Sequence, residues 1–189
     1  MIQKLTIKQT EEFFLPLIWS GKENQIDYDI SLSKEGASIR LLLLILGNGE
    51  SWADVNIKIT HEKPQTKSMV IVRGILGDSA RINFNGLVKI NKGSYLSNAW
   101  LAAHLLLNSD RAKGRAIPSL EILENDIKAG HATTVGKINE AEIFYLMSRG
   151  VPQKKAKQLI VAGFLSGFLN DFPDSKEKNL ILKQIKHVV

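Results

Sequence analysis

Few side chains in this sequence could bind a metal or act as nucleophiles. The chain has four histidines and no cysteine. Without thiols it can form neither disulfides nor thiolate zinc sites, and it offers no persulfide carrier and no cysteine nucleophile. His131 is the candidate for chemistry, because a neutral imidazole can ligate iron or hydrogen-bond across an interface. His104 lies in an apolar run and is expected in or beside the core, whereas His187 is expected to be exposed.

The remaining polar patterns predict no nucleotide site. Residues 130–137 resemble a phosphate-binding loop only superficially. Five residues separate Gly130 from Gly136, and Ile138 follows Lys137 where serine or threonine must hold magnesium. A polysaccharide-cleaving enzyme needs acids clustered on one exposed face. The candidates fall in predicted loops and form no evident cluster in the sequence: Glu50, Glu62, Asp110 and Glu124, together with His61.

Composition places the chain among globular proteins. Of its 189 residues, 44% are hydrophobic and 23% are charged, which is enough for one core without disulfides. The most apolar run, residues 41–46, is too short to cross a bilayer, and the N-terminus lacks a signal-peptide pattern. We therefore expect a cytoplasmic protein without membrane contact. The net charge of +6 invites nucleic acid as a partner. However, the densest basic group, Lys154, Lys155 and Lys157, is better explained as a solvated helix face.

Residues 26–138 have the pattern of many short strands. Runs rich in Ile, Val and Leu alternate with turn signals such as GNGE, GDS, NKG and NSD. This pattern is typical of a sandwich, a barrel or a β-solenoid. The run 41–46 favours the solenoid because it is too continuous for a sheet wetted on one face. Asparagines that could form ladders between stacked coils also favour it (Asn83, Asn85, Asn98 and Asn108). Periodicity alone leaves solenoid and sandwich equally open.

After residue 138 the pattern becomes helical. Asn139 predicts a helix N-cap, and Gly150 ends that helix. Pro152 is well placed to open a second helix. A third is predicted from Pro173, with Ile181, Ile185 and Val188 on one face. We divide the chain into an N-terminal segment (1–25), a β body (26–138) and a C-terminal helical subdomain (139–189).

Three stretches of the chain carry a family pattern. GILGDSARINFNG at residues 74–86 is similar to G-x-L-x-D-x-A…F-x-G. LLLNSDRA at 105–112, with PSLEI at 118–122, resembles N-L-L-L-S-x-x-A…P-x-L-E-I. NDIKAGHATTVG at 125–136, with FYLMSRG at 144–150, resembles D-D-V-K-C-S-H-G-A-T-V-G…F-Y-L-x-S-R-G. In this order and spacing they resemble the SufB/SufD family of iron–sulfur cluster assembly scaffolds, and the third is closest to SufD.

The resemblance implies a right-handed parallel β-helix followed by a helical subdomain. In the family, SufB and SufD pair through their β-helices, and the C-terminal helices dock an ABC-type ATPase, SufC. The nascent cluster is thought to form near the SufB–SufD interface, where His131 matches the interface histidine. The alternative is a structural histidine that closes the last coil. A lone histidine cannot hold a cluster, so any transient iron–sulfur cluster requires ligands from a partner chain.

The chain also departs from the family pattern. Ala129 and Gly130 precede His131 where SufD members usually have Cys and Ser. The SufB-type cysteine that is a proposed cluster ligand has no counterpart, and there is little room for the family's additional N-terminal helical region. These departures make the chain SufD-like, and we assign no cofactor and no metal site to this chain alone.

We predict a non-catalytic scaffold subunit with two docking surfaces. Tyr145 and Arg149 lie on one face of the first tail helix, and with Leu146 and Gly150 they are predicted to contact a SufC-like ATPase. The alternative is that this helix only packs inward. The β-helix is predicted to pair with a SufB-like subunit or a second copy, a choice that the sequence leaves open. Two rival functions also fit the sequence, namely a diverged homodimeric adaptor without a cluster role and a β-helical carbohydrate-active enzyme.

Overall fold

The computed structural model describes residues 2–172, which form strands followed by helices. The strands are β1 (Ile2–Ile7), β2 (Glu12–Trp19), β3 (Gln25–Leu32), β4 (Ser38–Gly47), β5 (Trp52–His61), β6 (Lys67–Leu76), β7 (Arg81–Ile90), β8 (Ser97–Leu107), β9 (Lys113–Ile122) and β10 (Ile127–Lys137). The helices are α1 (Glu140–Ser148) and α2 (Gln153–Asn170). Neither of these two helices combines the length and the apolar character needed to span a membrane. The third predicted helix and His187 lie outside the described residues.

The strands alternate between two parallel sheets. Sheet A has the order β1-β3-β5-β7-β9, and sheet B has the order β10-β8-β6-β4-β2. All neighbouring strands in both sheets run parallel. Each pair of consecutive strands therefore makes one coil of a solenoid. The predicted parallel β-helix with C-terminal helices is confirmed.

Alternate residues of each strand fill the space between the two sheets. Matching positions on successive coils stack in columns, such as the one formed by Leu15, Leu41, Val70 and Leu101. The last three of these side chains are fully buried. Burial of aliphatic side chains in such columns is the main favourable term that holds the coils together, because each coil removes its neighbours' apolar surface from water.

Sheet B is buried on both faces along the run 41–46. Leu41, Leu43 and Ile45 belong to the inner core, whereas Leu42, Leu44 and Leu46 belong to a second cluster on the outer face. That second cluster is completed by apolar residues of the helices: Ile143, Ala156, Val161, Leu165, Phe168 and Leu169. The helices thus cover part of the outer face of sheet B, which explains why this run has no polar alternation.

The outer face of sheet A carries ladders of polar side chains. Asn56 Nδ2 donates to Asp27 Oδ1 (2.8 Å), and Asn85 Nδ2 donates to Asn56 Oδ1 (3.0 Å). In a second row of side chains beside the first, Asn83 Nδ2 donates to Asp54 Oδ1 (2.8 Å). Asn83 and Asn85 therefore join coils as expected. They do so from the outward face of β7 rather than from strand ends, because the inward positions are taken by apolar residues.

The first 25 residues, which the sequence pattern separated from the β body, contain β1 and β2. β1 pairs with β3 from Ile2↔Asp27, and β2 pairs with β4 from Glu12↔Ser38. The pattern of this first coil is mixed because it has a neighbouring coil on only one side among the described residues. Several of its inward residues are consequently only partly buried: Leu5, Phe13, Leu15 and Leu17.

Candidate functional site

His131 lies in the middle of β10, on the last described coil of the β-helix. Its register partner on β8 is Leu101, so His131 continues the inner column that includes Leu15. Leu101 is fully buried, yet His131 is exposed, because no described strand follows β10 in sheet B. The last coil therefore presents an imidazole at the open end of an otherwise apolar interior.

The other inward positions of this coil leave the end shallow and partly exposed. Thr133 and Val135 follow His131 on β10, opposite Ala103 and Leu105, and Val135 is exposed. β9 contributes inward residues that are only half-buried: Gly114, Ala116, Pro118 and Leu120. This surface can pack against another β-helix, and it offers one nitrogen ligand and one hydroxyl at its centre.

β10 also has a free edge among the described strands. Ile138 N donates to Leu107 O (3.2 Å). Because alternate residues of a strand direct their N–H and C=O groups to opposite sides, the even-numbered residues of β10 face β8. The odd-numbered residues, including His131, direct these groups away from β8. On β9, Lys113 N and Leu123 N donate towards β7, so the even-numbered residues face the free edge. Pro118 is one of these residues, and it has no N–H to donate to an added strand. β10 is therefore the edge better suited to adding a strand.

α1 follows β10 and is fixed at both ends. Asn139 Oδ1 accepts a hydrogen bond from Ala141 N (2.9 Å), which satisfies one free N–H of the first turn. Gly150, with φ of 83°, ends the helix, and its N–H donates to Met147 O (2.9 Å). Ile143 is buried against sheet B and α2, and this packing fixes the position of α1 beside the last coil.

Most of α1 faces solvent. Phe144 is 73% exposed and Tyr145 57%, and Met147 is also exposed. The Arg149 guanidinium carbon lies 5.4 Å from the centre of the Tyr145 ring. Of the predicted contact residues, Tyr145, Arg149 and Gly150 are exposed, whereas Leu146 is half-buried in the cluster under the helices.

The apolar residues Ile143, Phe144, Leu146 and Met147 of α1 do not all lie on its packing face. With Ile143 and Leu146 inward, the helical repeat of 3.6 residues turns Phe144 and Met147 outward. Large apolar side chains together on one exposed helix are typical of an interaction surface.

Known proteins are similar in sequence to this chain over most of its length. The family described as "SUF system FeS cluster assembly, SufBD core domain" matches residues 16–164, from β2 into α2. The chain belongs to the SufB/SufD family. Iron-sulfur cluster assembly protein SufD of Bacillus subtilis (strain 168) is 30% identical over 183 residues, covering 89% of this chain and 42% of that protein.

Both branches of the family resemble this SufB/SufD chain. Iron-sulfur cluster assembly protein SufB of B. subtilis is 28% identical over 142 residues, covering 75% of this chain and 30% of that protein. SufD of Escherichia coli (strain K12) is 29% identical over 154 residues, covering 82% of this chain and 36% of that protein. The chain thus spans less than half the length of these relatives.

A second histidine of this SufB/SufD chain, His61, is buried rather than placed in a loop as its sequence context predicted. It is the last residue of β5 and stacks between Leu32 and Ile90 in an inner column. Its Nδ1 lies 2.8 Å from Thr66 Oγ1, and its Nε2 lies 2.8 Å from Ser68 Oγ. Burial lowers the pKa of His61 to about 4. The neutral ring is therefore held between two hydroxyl groups inside the β-helix.

His104 points outward from β8, and its Nδ1 lies 2.8 Å from Thr134 Oγ1. Burial, together with the positive charge of Arg73, lowers the pKa of His104. This places His104 beside the core on the outer face of sheet B, in agreement with its apolar sequence context.

The acids of the outer face of sheet A bond their neighbours. Asp27 and Asp54 accept hydrogen bonds from asparagines of the adjacent coil, and Asp29 lies 3.9 Å from Lys58 Nζ. Within residues 2–172, no group of three or more His, Asp or Glu side chains could hold a metal ion. These carboxylates serve as links between neighbouring coils.

Proposed function

We propose that this chain is a non-catalytic scaffold subunit of an iron–sulfur cluster assembly complex. The observation that carries the proposal is the SufBD core domain match over residues 16–164, on a fold that exposes two separate surfaces. The open last coil pairs with a second β-helix, either a SufB-like subunit or another copy. The exposed face of α1 binds a SufC-like ABC ATPase, and ATP hydrolysis belongs to that partner. The cluster is the cargo of the complex.

The α1 surface has the composition of a protein-binding hot spot. Phe144, Tyr145 and Met147 supply apolar area, and Arg149 stacks on Tyr145. Aromatic and arginine side chains dominate the binding energy of many interfaces. Because Ile143 and Leu146 hold α1 on sheet B, the helix is already ordered before the ATPase binds. This reduces the entropy cost of association.

The last coil can share one ligand with a partner. A second β-helix seated on β10 would cover His131 and exclude water from its ring. An imidazole in such an interface can complete a set of ligands to iron whose other members come from the partner. Because this chain has no cysteine, it supplies none of the thiolates.

The ATPase contact is tested with purified chain and a SufC-like ATPase. Tyr145→Ala and Phe144→Ala are each expected to weaken ATPase binding about tenfold, as truncation of a hot-spot residue does. Leu159→Ala is the matched control, since Leu159 is 45% exposed on α2, and it should change affinity less than about twofold. Equal effects of the three variants, or a parent chain that ignores the ATPase, would remove α1 as the docking surface.

The role of His131 is tested in the assembled complex. His131→Ala is expected to lower cluster yield while the complex still forms, and His104→Ala, on the outer face of the adjacent strand, should leave cluster yield unchanged. A structural histidine would give the opposite result, with lower thermal stability and normal cluster yield per folded complex.

A diverged adaptor without a cluster role is the second candidate, and the complete lack of cysteine favours it. It shares both docking surfaces with the first proposal. Reconstitution separates them: an adaptor binds the ATPase and its pairing partner, yet its removal leaves the rate of cluster formation unchanged.

A further inference from the structure

Three exposed cations lie together at one corner of the outer face of sheet A. Arg81 on β7 is the register partner of Lys113 on β9, and Arg115 follows Lys113 on the same face. Register partners on adjacent strands are about 4.8 Å apart, and like charges in such positions destabilise a sheet. The fold thus keeps a repulsive group here, which we call the cationic cluster (Arg81, Lys113 and Arg115).

No described acid neutralises the cationic cluster. Elsewhere on this face the lysines are paired: Lys58 Nζ lies 3.9 Å from Asp29 Oδ1. Lys89 Nζ likewise lies 2.6 Å from Glu121 Oε1. Within residues 2–172, by contrast, no carboxylate lies within ion-pair distance of the cationic cluster. Its positive charges can therefore bind an anion from outside the chain.

An exposed aromatic ring adjoins the cationic cluster. Trp52, the first residue of β5, is the register partner of Arg81 and is 47% exposed. Together with Ser79 and Asn83, these two side chains line a groove of about 570 Å³. Glu50, two residues before Trp52, lines the same groove. The groove therefore brings together an aromatic ring, a carboxylate and the first of the three cations.

We propose that this corner of sheet A binds a nucleoside di- or triphosphate. The base stacks on the exposed ring of Trp52, and the cationic cluster binds the phosphates, for which arginine has the matching bidentate geometry. The Glu50 carboxylate accepts hydrogen bonds from the ribose hydroxyls, as acidic residues do in dinucleotide-binding folds. The site is assembled from three successive coils, and for this reason no local sequence motif reveals it.

The spacing of the strands and the charge of Glu50 favour this ligand over other anions. Trp52 and Lys113 are two strands apart, or about 9.6 Å, a span comparable to that between the base and the outer phosphates of an extended nucleotide. Glu50 would repel an acidic peptide at the Trp52 end, whereas a nucleoside presents an uncharged end there. Trp52 is also the only aromatic side chain on the outer face of the described strands of sheet A. A nucleic acid strand, by contrast, needs a series of stacking rings.

Binding is tested with the full chain in the absence of any ATPase, by titration with ATP, adenosine and inorganic triphosphate. In a Trp100→Phe variant the remaining tryptophans are Trp52 and the buried Trp19, so quenching of tryptophan fluorescence by ATP reports stacking on Trp52. ATP should bind about tenfold more tightly than either adenosine or triphosphate, because only ATP contacts both the ring and the cationic cluster.

Substitutions separate the two ends of the site, with affinities measured by calorimetry. Trp52→Ala should weaken ATP binding about tenfold and leave the affinity for inorganic triphosphate unchanged. Arg81→Gln should weaken the binding of both ligands about fivefold or more, because it removes a charged donor to phosphate. Lys58→Gln is the matched control, since it removes a positive charge from the same face about 20 Å from Trp52. It should change either affinity less than about twofold.

Thermal unfolding distinguishes a lost ligand contact from a folding defect. Without ligand, Arg81→Gln should raise the melting temperature by about 1–3 °C, because the substitution removes a like-charge pair. With ATP in excess, the melting temperature of the parent should rise more than that of the variant.

Three results would overturn the nucleotide site. The first is the absence of saturable ATP binding by the parent chain. The second is equal affinity for ATP and triphosphate with no effect of Trp52→Ala, which would leave only a patch that attracts anions. The third is tighter binding of polyglutamate or oligothymidylate than of ATP through the same residues. None of these results bears on the proposed ATPase contact, because α1 packs on sheet B.

Discussion

Replacing His61 should remove much of the acid sensitivity of this protein. The ring is completely buried, and both of its nitrogens bond hydroxyl groups, Thr66 Oγ1 and Ser68 Oγ. Burial lowers the pKa of His61 from 6.5 to about 4. Between these two values the unfolded chain binds a proton that the folded chain excludes. Stability is therefore retained above the unfolded pKa and lost as the pH falls towards the folded pKa.

The size of the effect follows from the two pKa values. At pH 7 the histidine is mostly neutral in both states, so its contribution to the pH dependence is small. At pH 5 the unfolded state is almost fully protonated at this site and the folded state is mostly neutral. The free energy of unfolding should fall by about 2 kcal/mol between pH 7 and pH 5 from His61 alone.

The assay is urea unfolding of the parent and of His61→Gln at both pH values, followed by tryptophan fluorescence. At pH 7 the variant should be less stable by roughly 1–3 kcal/mol, because glutamine cannot satisfy both hydroxyl partners. From pH 7 to pH 5 it should lose about 2 kcal/mol less than the parent, because it has no proton to exclude. Carboxylates and His104 titrate in both proteins and cancel in the comparison.

His104→Gln is the control for this experiment. His104 has a lowered pKa but is only half-buried on the outer face of β8, so its removal should leave most of the acid sensitivity in place. If His61→Gln lost as much stability as the parent between pH 7 and pH 5, the buried neutral histidine would not be the cause.

Three further substitutions test the packing that positions the two surfaces. Asn56→Ala interrupts the ladder between Asp27 and Asn85 and should cost about 1 kcal/mol in urea unfolding, the net value of a hydrogen bond. Leu44→Ala removes a fully buried side chain beneath the helices. It should cost roughly 2–5 kcal/mol and speed hydrogen exchange in α2 more than in the inner coils. Asn139→Ala removes the cap of α1 and should cost about 1 kcal/mol, with a lower fraction of ATPase bound at a fixed concentration.

The run 41–46 shows how much of the fold the sequence could predict. Its lack of polar alternation indicated burial on both faces, and the structure divides it between the inner core and the cluster under the helices. Periodicity did not separate a solenoid from a sandwich, because single strands look alike in both. The family motifs decided it, since they carry information about the order of coils that strand patterns lack.

Other features depend on contacts between coils, and local patterns could not reveal them. His61 looked like a loop residue because Glu62, Lys63 and Pro64 follow it at once. Its burial is set by Leu32 and Ile90, its partners on the neighbouring coils. The exposure of Phe144 likewise depends on which side of α1 meets sheet B, and the nearly continuous apolar sequence of that helix does not specify the side.

The position of His131 was predictable in principle from the repeat of the solenoid. Leu15, Leu41, Val70, Leu101 and His131 share one inner column, at sequence steps of 26 to 31 residues. Aliphatic residues fill every coil until the last, where a polar ring replaces them. An imidazole buried in an interior column costs free energy unless its nitrogens form hydrogen bonds. His61 meets this requirement with hydroxyls of its own chain. Among the described residues no coil follows His131, so its column ends at an exposed imidazole.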